Sequence, residues 1–544
     1  MPVVTLYFDR IQKILGKKIS KEKITSTLPF IGLDIEEEAS DHINVEYSPN
    51  RPDYSTDYGI ITGLQGLLGI KLGMQQLHIK VGKDMIKADS SVSKIRPYVT
   101  AIEAKNGTLD DESIRQIITM QEDLHNGIGR RRKKASIGIH DLDKIKFPLY
   151  YKSIGTDHSF IPLDSDVEMA VTEILEKTET GIKYGNILHG QKVPVIMDST
   201  GKTISLPPIT NAKFTEIKST TKNILVEVTA TDKNSAEDIL AVIANTLQTA
   251  GFQIYSVRIS GANNSTLKLK PRDLLLGSEI VNQTLGLELS NSVIIKSLRK
   301  SRLGAKMKGR KIVCTIPRYR TDIFGSMDLV EEVALGYGIQ NLTPTIPESV
   351  SIGERHNITK KLEAIRLLMN GFGYTEVMNF ELISKEILYE KTGRDYSKMI
   401  SVLDSKSQEH AILRDILLSG LMDVLSRNIH ESYPQRIFEI GTVYEKDLPL
   451  KEEIHLSCVS AHNGAGFTEI KSVLQSLLKT GFNLECKTIA SKDSIFADGR
   501  IASVVVNGKQ AGIVGEINPE VIENFKLRIP IAGFELNLTG LIFN

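Results

Sequence analysis

Cysteine is nearly absent. Cys314, Cys458 and Cys486 are the three in 544 residues, too few and too widely spaced for a disulfide framework or a Cys-rich zinc site. A reduced, cytoplasmic setting is the expected one. No apolar stretch approaches the ~18 residues that a membrane span needs, and Met1 to Arg10 carry no basic stretch ahead of an apolar core, so no signal peptide is expected. Excess charge is missing too. Lys and Arg total 67 against 66 Asp and Glu, a formal net charge of +1, which excludes an overall basic nucleic-acid coat and makes any RNA contact local. Absent as well are a Gly-Lys-Ser/Thr phosphate loop, a nucleophile elbow and a Cys-His zinc pattern. Internal repeats and low-complexity tracts are not found, and nothing calls for DNA or a membrane as a partner.

What is present is an ordinary globular balance, 41% hydrophobic and 24% charged, over a length that suggests roughly three to five domains. Phe8, Ile11 and Leu15 lie at helical spacing before Gly16, and Ile60, Ile61, Leu64, Leu67 and Leu68 before Gly69. The polar run from Gly82 to Ser91 reads as a boundary. Glu112 to Asn126 reads as a helix, and Ala135 to Ile139 and Ile224 to Thr229 as strands. Ser235 to Asp238 opens a helix in capping-box style that Gly251 stops. Gly261 to Ser265 marks the next break, and Pro344 and Pro347 close the small unit that follows. The last ~200 residues open with a helix stopped by Gly371 and continue as mixed helix and strand.

Three clusters carry possible chemistry. Asp328, Glu331 and Glu332 stand at i, i+3, i+4, near one helical face, with Asp322 six residues upstream. Either a hard divalent cation such as Mg²⁺ bridges them, or they are an acidic first turn with Arg318 and Arg320 as counter-charges. Arg130, Arg131, Arg132, Lys133 and Lys134 form a local cationic run, which is either a nucleic-acid contact or a solvated loop. Glu227 and Thr229 share one face of a strand. Pointing inward they hydrogen-bond a ligand hydroxyl, and pointing outward they are a polar surface. His140, beside Asp141 and Asp143, reads as a surface turn rather than a ligand set.

Taken in order along the chain, the motifs resemble the phenylalanyl-tRNA synthetase β-subunit family in its compact archaeal/eukaryotic form. They are Asn50-Arg51-Pro52-Asp53, then Gly129 to Lys134 running into Ile137 to Asp143, Ile196 to Ser199, and Leu206 to Ile209. Pro317 to Asp322 through Glu331 to Gly338, Leu413-Arg414, and Phe438 to Gly441 complete the series. The resemblance implies an α+β multidomain chain. Residues 1–85 would form an N-terminal α/β domain, 86–266 a tRNA-editing domain and 267–346 a winged-helix-like domain with the acidic cluster. Residues 347–544 would be a degenerate copy of the class II synthetase catalytic fold, an antiparallel sheet with helices. It further implies an (αβ)₂ heterotetramer acting on tRNA(Phe), in which the α subunit activates phenylalanine with ATP and charges the tRNA. A class II active site closes a Gly-rich strand–helix motif with an arginine for the ATP phosphates. The stretch near Ala497 to Arg500 and Gly515 to Glu520, taken as its counterpart, lacks that arginine, so this domain is expected to be structural.

By the same resemblance Asp322, Asp328, Glu331 and Glu332 are Mg²⁺ ligands, and the editing site that hydrolyses mischarged Tyr-tRNA(Phe) comprises Gln121, Arg132, Ser205, Glu227 and Thr229. Glu227 would accept the tyrosine phenol, with Thr229 beside it, and Gln121 and Arg132 would face the ester and the terminal adenosine. Glu227 stands where archaeal relatives carry Asp. Arg130, Arg131, Lys133 and Lys134 are the expected RNA contacts. Two rivals come from other classes: an RNA-binding scaffold without hydrolytic activity, and a free-standing magnesium-dependent hydrolase. A synthetase β subunit brings down a class II partner chain, and neither rival does.

Overall fold

Alternation along Ile224–Ala230 explains the centre of the molecule. Ile224, Val226, Val228 and Ala230 enter one apolar core, while Leu225 enters a second core on the opposite face, and Glu227 and Thr229 share that opposite face by the period of two. The computed structural model describes residues 2–261, 269–346, 351–403, 405 and 407–542. They fall into two compact units, Met1–Ile346 and Pro347–Asn544. The expected break at 262–265 and boundary at 266/267 lie outside the described residues, as does Pro347 at the last boundary.

In the first unit, β1 (Val3–Tyr7), α1 (Phe8–Leu15), β2 (Leu33–Glu38), β3 (His42–Tyr47) and α2 (Asp57–Leu67) form a small layer with sheet order β1-β3-β2. Gly16 ends α1 at φ 69, as its position predicts. Next come β4 (Ile79–Ala88), β5 (Tyr98–Lys105), α3 (Asp111–Asn126), β6 (Ala135–Asp141), β7 (Leu149–Gly155) and β8 (Lys192–Met197). They are followed by β9 (Thr203–Leu206), β10 (Thr210–Asn211), β11 (Ile224–Ala230), α4 (Lys233–Thr249) and β12 (Gln253–Gly261). The nine strands from β4 onward make one sheet in the order β10-β9-β8-β7-β4-β12-β5-β11-β6. Helices α3 and α4 pack on one face through Ile117, Met120, Leu124, Ile239, Leu240 and Ile243.

Two expectations change here. The polar run read as a boundary, through which residue 85 would end a domain, begins inside β4 and runs past its end at Ala88. The strand pairs in parallel with β12, and Gly82 to Asp84 fall where the register shifts between Val81–Ser256 and Met85–Arg258. Their polarity is that of a bulge on a half-exposed strand. Helix α4 starts earlier than Ser235: Asp232 is the cap, its carboxylate accepting from the Ser235 N–H at 3.0 Å.

The first unit closes with β13 (Arg272–Leu276), α5 (Ser278–Leu285), α6 (Asn291–Lys300), β14 (Gly304–Lys308), β15 (Lys311–Ile316) and α7 (Ser326–Tyr337). The sheet order is β13-β15-β14, antiparallel, and the helices share one apolar core with it.

In the second unit, α8 (Asn357–Gly371) runs through the expected stop at Gly371, and the left-handed residue is Gly373 at φ 83. The sheet comprises β16 (Thr375–Glu376), β17 (Gln435–Glu445), β18 (Lys451–Ala461), β19 (Cys486–Ala490), β20 (Phe496–Val506), β21 (Lys509–Ile517) and β22 (Ile531–Asn537). Its order is β16-β17-β18-β22-β21-β20-β19, antiparallel apart from the β16–β17 pair. Helices α9 (Leu418–Arg427), α10 (Phe467–Phe482), α11 (Pro519–Asn524) and α12 (Thr539–Ile542) accompany it. The expected strand–helix motif near 497–520 is the β20–β21 hairpin running into α11 across the single residue Asn518. Strand β22 runs into α12 in the same way, and Gly533 to Ile542 contains neither Arg nor Lys.

Candidate functional site

The polar face of β11 points inward. Glu227 is 2% exposed and Thr229 fully buried. Directly across from Glu227 stand Gly138 on β6 and Ala101 on β5, two of the smallest residues. A Cβ at Gly138 would collide with both Glu227 Oε1 and His140 Nε2. His140 is fully buried rather than in a surface turn, a correction that follows from β6 extending to Asp141. Its Nδ1 lies 2.9 Å from Thr215 Oγ1, and that hydroxyl donates to the Ala212 carbonyl at 2.9 Å. Nδ1 therefore carries the proton it gives to Thr215, and Nε2 faces Glu227 Oε1 at 3.9 Å. Neither His140 Nε2 nor Glu227 Oε2 has a hydrogen-bond partner. Buried acceptors without donors are costly, and here they sit together over Gly138, whose lack of a side chain lets both approach. What satisfies such a pair is a hydroxyl or a water.

Arg96 was not foreseen. It is 2% exposed, donates through Nε to Thr229 Oγ1 and through Nη2 to the Thr229 carbonyl, both at 2.9 Å, and has no carboxylate within ion-pair reach among the described residues. Ser136 Oγ lies 3.0 Å from the same Thr229 hydroxyl. Thr229 is thus held by its neighbours. Burial brings the Arg96 guanidinium down to about 10, with Tyr151 and Glu227 opposing. A lone arginine ahead of Pro97 offers no sequence pattern that would have marked it.

The other expected site residues are engaged elsewhere. Strand β6 is the sheet edge, whose unpaired backbone groups need cover. Gln121 on α3 supplies it, donating to the Ile137 carbonyl at 2.8 Å, while His125 Nε2 accepts from the Ile137 N–H at 2.9 Å. His125 Nδ1 lies 3.0 Å from Glu122, and Glu122 binds Arg132 Nη2 at 2.7 Å. Burial lowers the His125 imidazole and keeps it neutral, as an acceptor at Nε2 must be. Arg132 Nη1 donates to the Ile209 carbonyl at 2.9 Å and the Pro208 carbonyl at 3.3 Å, and its guanidinium lies 4.2 Å from the Tyr184 ring centroid. These contacts, with that of Thr215 to His140, bring the segment after β9 against β6. Ser205 on β9 is buried, and no hydrogen bond joins it to the other four.

The cationic run forms a left-handed turn, with Arg130, Arg131 and Arg132 at φ 50, 52 and 64. Three consecutive such residues cost roughly 1–2 kcal/mol each and persist only where the surroundings over-determine them. The anchors of Arg132 do so. Arg132 points in, and Arg130, Arg131, Lys133 and Lys134 are exposed.

The acidic cluster does not fit the expected Mg²⁺ site. Arg320 occupies its middle, donating through Nε and Nη2 to the two Asp322 carboxylate oxygens at 2.9 and 2.6 Å and pairing through Nη2 with Glu332 Oε1. Asp328 Oδ2 accepts from the Phe324 and Gly325 N–H groups at 2.6 and 2.8 Å, the start of α7. Glu331 points to solvent. Burial, then Glu332, Asp322 and Asp328, push its carboxyl up. Among the described residues no three His, Cys, Asp or Glu side chains are arranged to hold a metal ion. The counter-charge reading holds for Arg320, whereas Arg318 pairs with Asp238 at 2.7 Å. Arg51 and Asp53 extend the cluster, paired at 2.8 Å, with Arg51 4.0 Å from Asp322.

In the second unit, the polar side chains at the middle of the sheet bind one another. Arg414 Nη1 pairs with Glu439 at 2.6 Å, both buried. Glu535 accepts from the Leu417 and Leu418 N–H groups at 3.0 and 2.9 Å, at the start of α9.

Comparison with known proteins gives consistent matches. The family descriptions "B3/4 domain", "tRNA synthetase B5 domain" and "Phenylalanyl tRNA synthetase beta chain CLM domain" match residues 91–241, 275–339 and 342–538. The phenylalanine–tRNA ligase beta subunit of Archaeoglobus fulgidus is 38% identical over 546 residues, 99% of this chain and 98% of its own. That of Methanocaldococcus jannaschii is 37% identical over 550 residues, 99% of this chain and all of its own. The crystal structure of an N-terminal fragment of the phenylalanyl-tRNA synthetase beta subunit from Pyrococcus horikoshii superimposes with a TM-score of 0.59 at 29% identity. It covers 62% of this chain and 99% of that fragment.

Proposed function

The chain belongs to the phenylalanine–tRNA ligase beta-subunit family, and from that premise we propose that it is the proofreading and supporting subunit of the ligase. Its partners in this reading are the alpha subunit, in an (αβ)₂ heterotetramer, and tRNA(Phe), and its setting is the cytoplasm. No described helix is long and apolar enough to cross a membrane. Residues 1–85, 86–266, 267–346 and 347–544 are the proposed working divisions, the first two sharing strand β4.

One observation carries the proofreading role. Glu227 Oε2 and His140 Nε2 are buried acceptors without donors among the described residues, and both side chains close over Gly138, where only a hydrogen fits. An apolar pocket that accepts phenylalanine rejects an added hydroxyl by only about 10². A second site that must fill open acceptors works in reverse, because a phenylalanyl group leaves them unpaired. Glu227 accepts the tyrosine phenol proton, with His140 at the same end. These two groups serve one end of the tyrosyl group, so the ester lies a side chain's length away. There a water oxygen adds to the carbonyl carbon, the ester C–O bond breaks, and the departing ribose oxygen takes up a proton. The four exposed cations of the left-handed turn are the proposed RNA contacts, and Arg132, Gln121 and Ser205 support the walls.

Synthesis is assigned to the partner, because the β22–α12 segment lacks a cation for the ATP phosphates and the mid-sheet polar groups are already paired. The Mg²⁺ on which phenylalanine–tRNA ligases depend is assigned to the ATP-binding subunit, since Arg320 fills the acidic cluster here.

Reconstitution with the alpha subunit tests the reading. Glu227→Ala is expected to slow Tyr-tRNA(Phe) deacylation while leaving Phe-tRNA(Phe) synthesis unchanged. Equal deacylation by variant and parent refutes it.

A further inference from the structure

Arg302 is a second buried cation that the proposed function does not use. It follows α6 at φ 62, in the left-handed position where glycine is the default. Its stem lies along Gly66 of α2, where a Cβ would stand 2.8 Å from Arg302 Cδ and 2.9 Å from Cγ. An arginine stands where glycine is favoured, and a glycine stands mid-helix where a side chain is favoured. Both departures place one guanidinium. The residue is 8% exposed, yet its guanidinium makes no ion pair and no hydrogen bond among the described residues, and its buried Nε is without an acceptor. Burial lowers its pKa, with the Tyr319 hydroxyl the opposing influence.

Arg302 lines a cleft of about 880 Å³ between α1, α2 and the C-terminal end of α4. Arg10, Lys13 and Lys71 line it too, against one carboxylate, Asp110, which Arg10 already binds at 2.7 Å. Lys13 and Lys71 are exposed and have no ion-pair partner among the described residues. The ends of three helices reach the cleft and lend it partial negative charge, but none of their carbonyls accepts from Arg302. Arg302 lines both this cleft and a smaller cavity walled by Asp53, Tyr319 and Glu332, and of the two the positively lined cleft is large enough for a small ligand.

We propose that this cleft binds a phosphate group, with Arg302 as its floor contact and Lys13 and Lys71 at its rim. A planar fork of donors matches phosphate oxygens bidentately. The phosphate belongs either to a tRNA backbone or to a free nucleotide, and the test separates these sources.

The assembled enzyme is compared with its R302M and K13Q/K71Q variants. Inorganic phosphate and AMP binding are measured by titration calorimetry, and tRNA binding by filter retention across a salt series. A free-nucleotide site predicts that R302M weakens AMP and phosphate at least about tenfold. A backbone site predicts a similar loss for tRNA, with the salt dependence reduced by about one phosphate contact. Either result supports the cleft. Equal affinities of parent and R302M for all three probes overturn it. Should R302M fail to fold, the exposed-rim double variant decides on the same readouts, unchanged affinity again overturning the proposal. The cleft lies apart from Glu227, so failure here leaves the proofreading reading intact.

Discussion

Replacing Arg320 by Gln separates a metal cluster from an arginine-centred one. Its side chain is 3% exposed, and its partners Asp322 and Glu332 are 12% and 6% exposed. Removing the guanidinium leaves two buried carboxylates with Arg51, 4.0 Å from Asp322, as the remaining nearby cation. Breaking a buried pair by deleting one partner costs about 3–5 kcal/mol. For a unit of this size that lowers the unfolding transition by on the order of 5–10 °C. The chain has two units, so the calorimetric transition that moves is the one to read. A chelator is expected to leave the parent's transition in place. Millimolar Mg²⁺ is expected to raise that of Arg320→Gln, because Asp322, Glu331 and Glu332 then lack their internal cation and an added ion stabilises by binding the native state. Acid acts in the same sense. Burial pushes the Asp322 carboxyl up, but the hydrogen bonds and charge of Arg320 outweigh it and hold it below the usual range. The stability this contributes is present at neutral pH and is lost as pH falls through the lowered value. A parent transition that drops with chelator, or an Arg320→Gln variant as stable as the parent, refutes the arginine-centred reading.

Glu103 works in the opposite direction: burial, then the neighbouring Asp84 carboxyl, raise it to about 7 against Lys105. Its contribution is fully present below about 4.5 and is lost as pH rises toward 7, so Glu103→Gln is expected to match the parent near pH 4.5 and to exceed it above pH 7. The margin is on the order of 2 kcal/mol after allowing for Lys105, read as denaturant midpoint against pH, and a pH-independent difference contradicts it. Gly138→Ala places a methyl between Glu227 and His140, so Tyr-tRNA(Phe) deacylation is expected to fall roughly 10²-fold, with Phe-tRNA(Phe) synthesis retained. Deacylation at the parent rate would show that the Glu227–His140 pair is not used.

Much of this was legible because local physics decided it. The period of two put Glu227 and Thr229 on one face, although whether that face was buried stayed open until β6 and β5 were seen to flank it, and the apolar spacing before Gly16 fixed α1. The polar run at Gly82 misled because a bulge on a half-exposed strand has the composition of a linker. His140 misled for a similar reason. Its neighbours Asp141 and Asp143 are turn formers, but β6 continues one residue past His140, and period two then turns the imidazole inward beside Glu227. The hydrogen bonds of Gln121 and Arg132 depend on β6 being an edge strand and on the segment after β9 folding back. Both are long-range facts that no local window contains. Arg96 and Arg302 lack any pattern, because what distinguishes them is the absence of a carboxylate in three dimensions.

The same contrast separates structure from site in this molecule. The Arg320 cluster and the β11 face each bury ionisable groups at comparable depth, so burial alone does not distinguish them. Around Arg320 the carboxylates have found donors: Asp322 takes two from Arg320, Glu332 takes one, and Asp328 takes two backbone N–H groups. Around Glu227 the count fails, with Glu227 Oε2 and His140 Nε2 left open across a residue that no side chain larger than hydrogen fits. A saturated cluster gains nothing from a ligand and resists one. An unsaturated cluster carries a desolvation cost that a ligand of matching donors removes, and the removal is specific, because a phenyl ring in place of a phenol leaves the cost standing. In the proposed proofreading role the open valence at Glu227 serves as affinity for the wrong amino acid, which is what such a site requires.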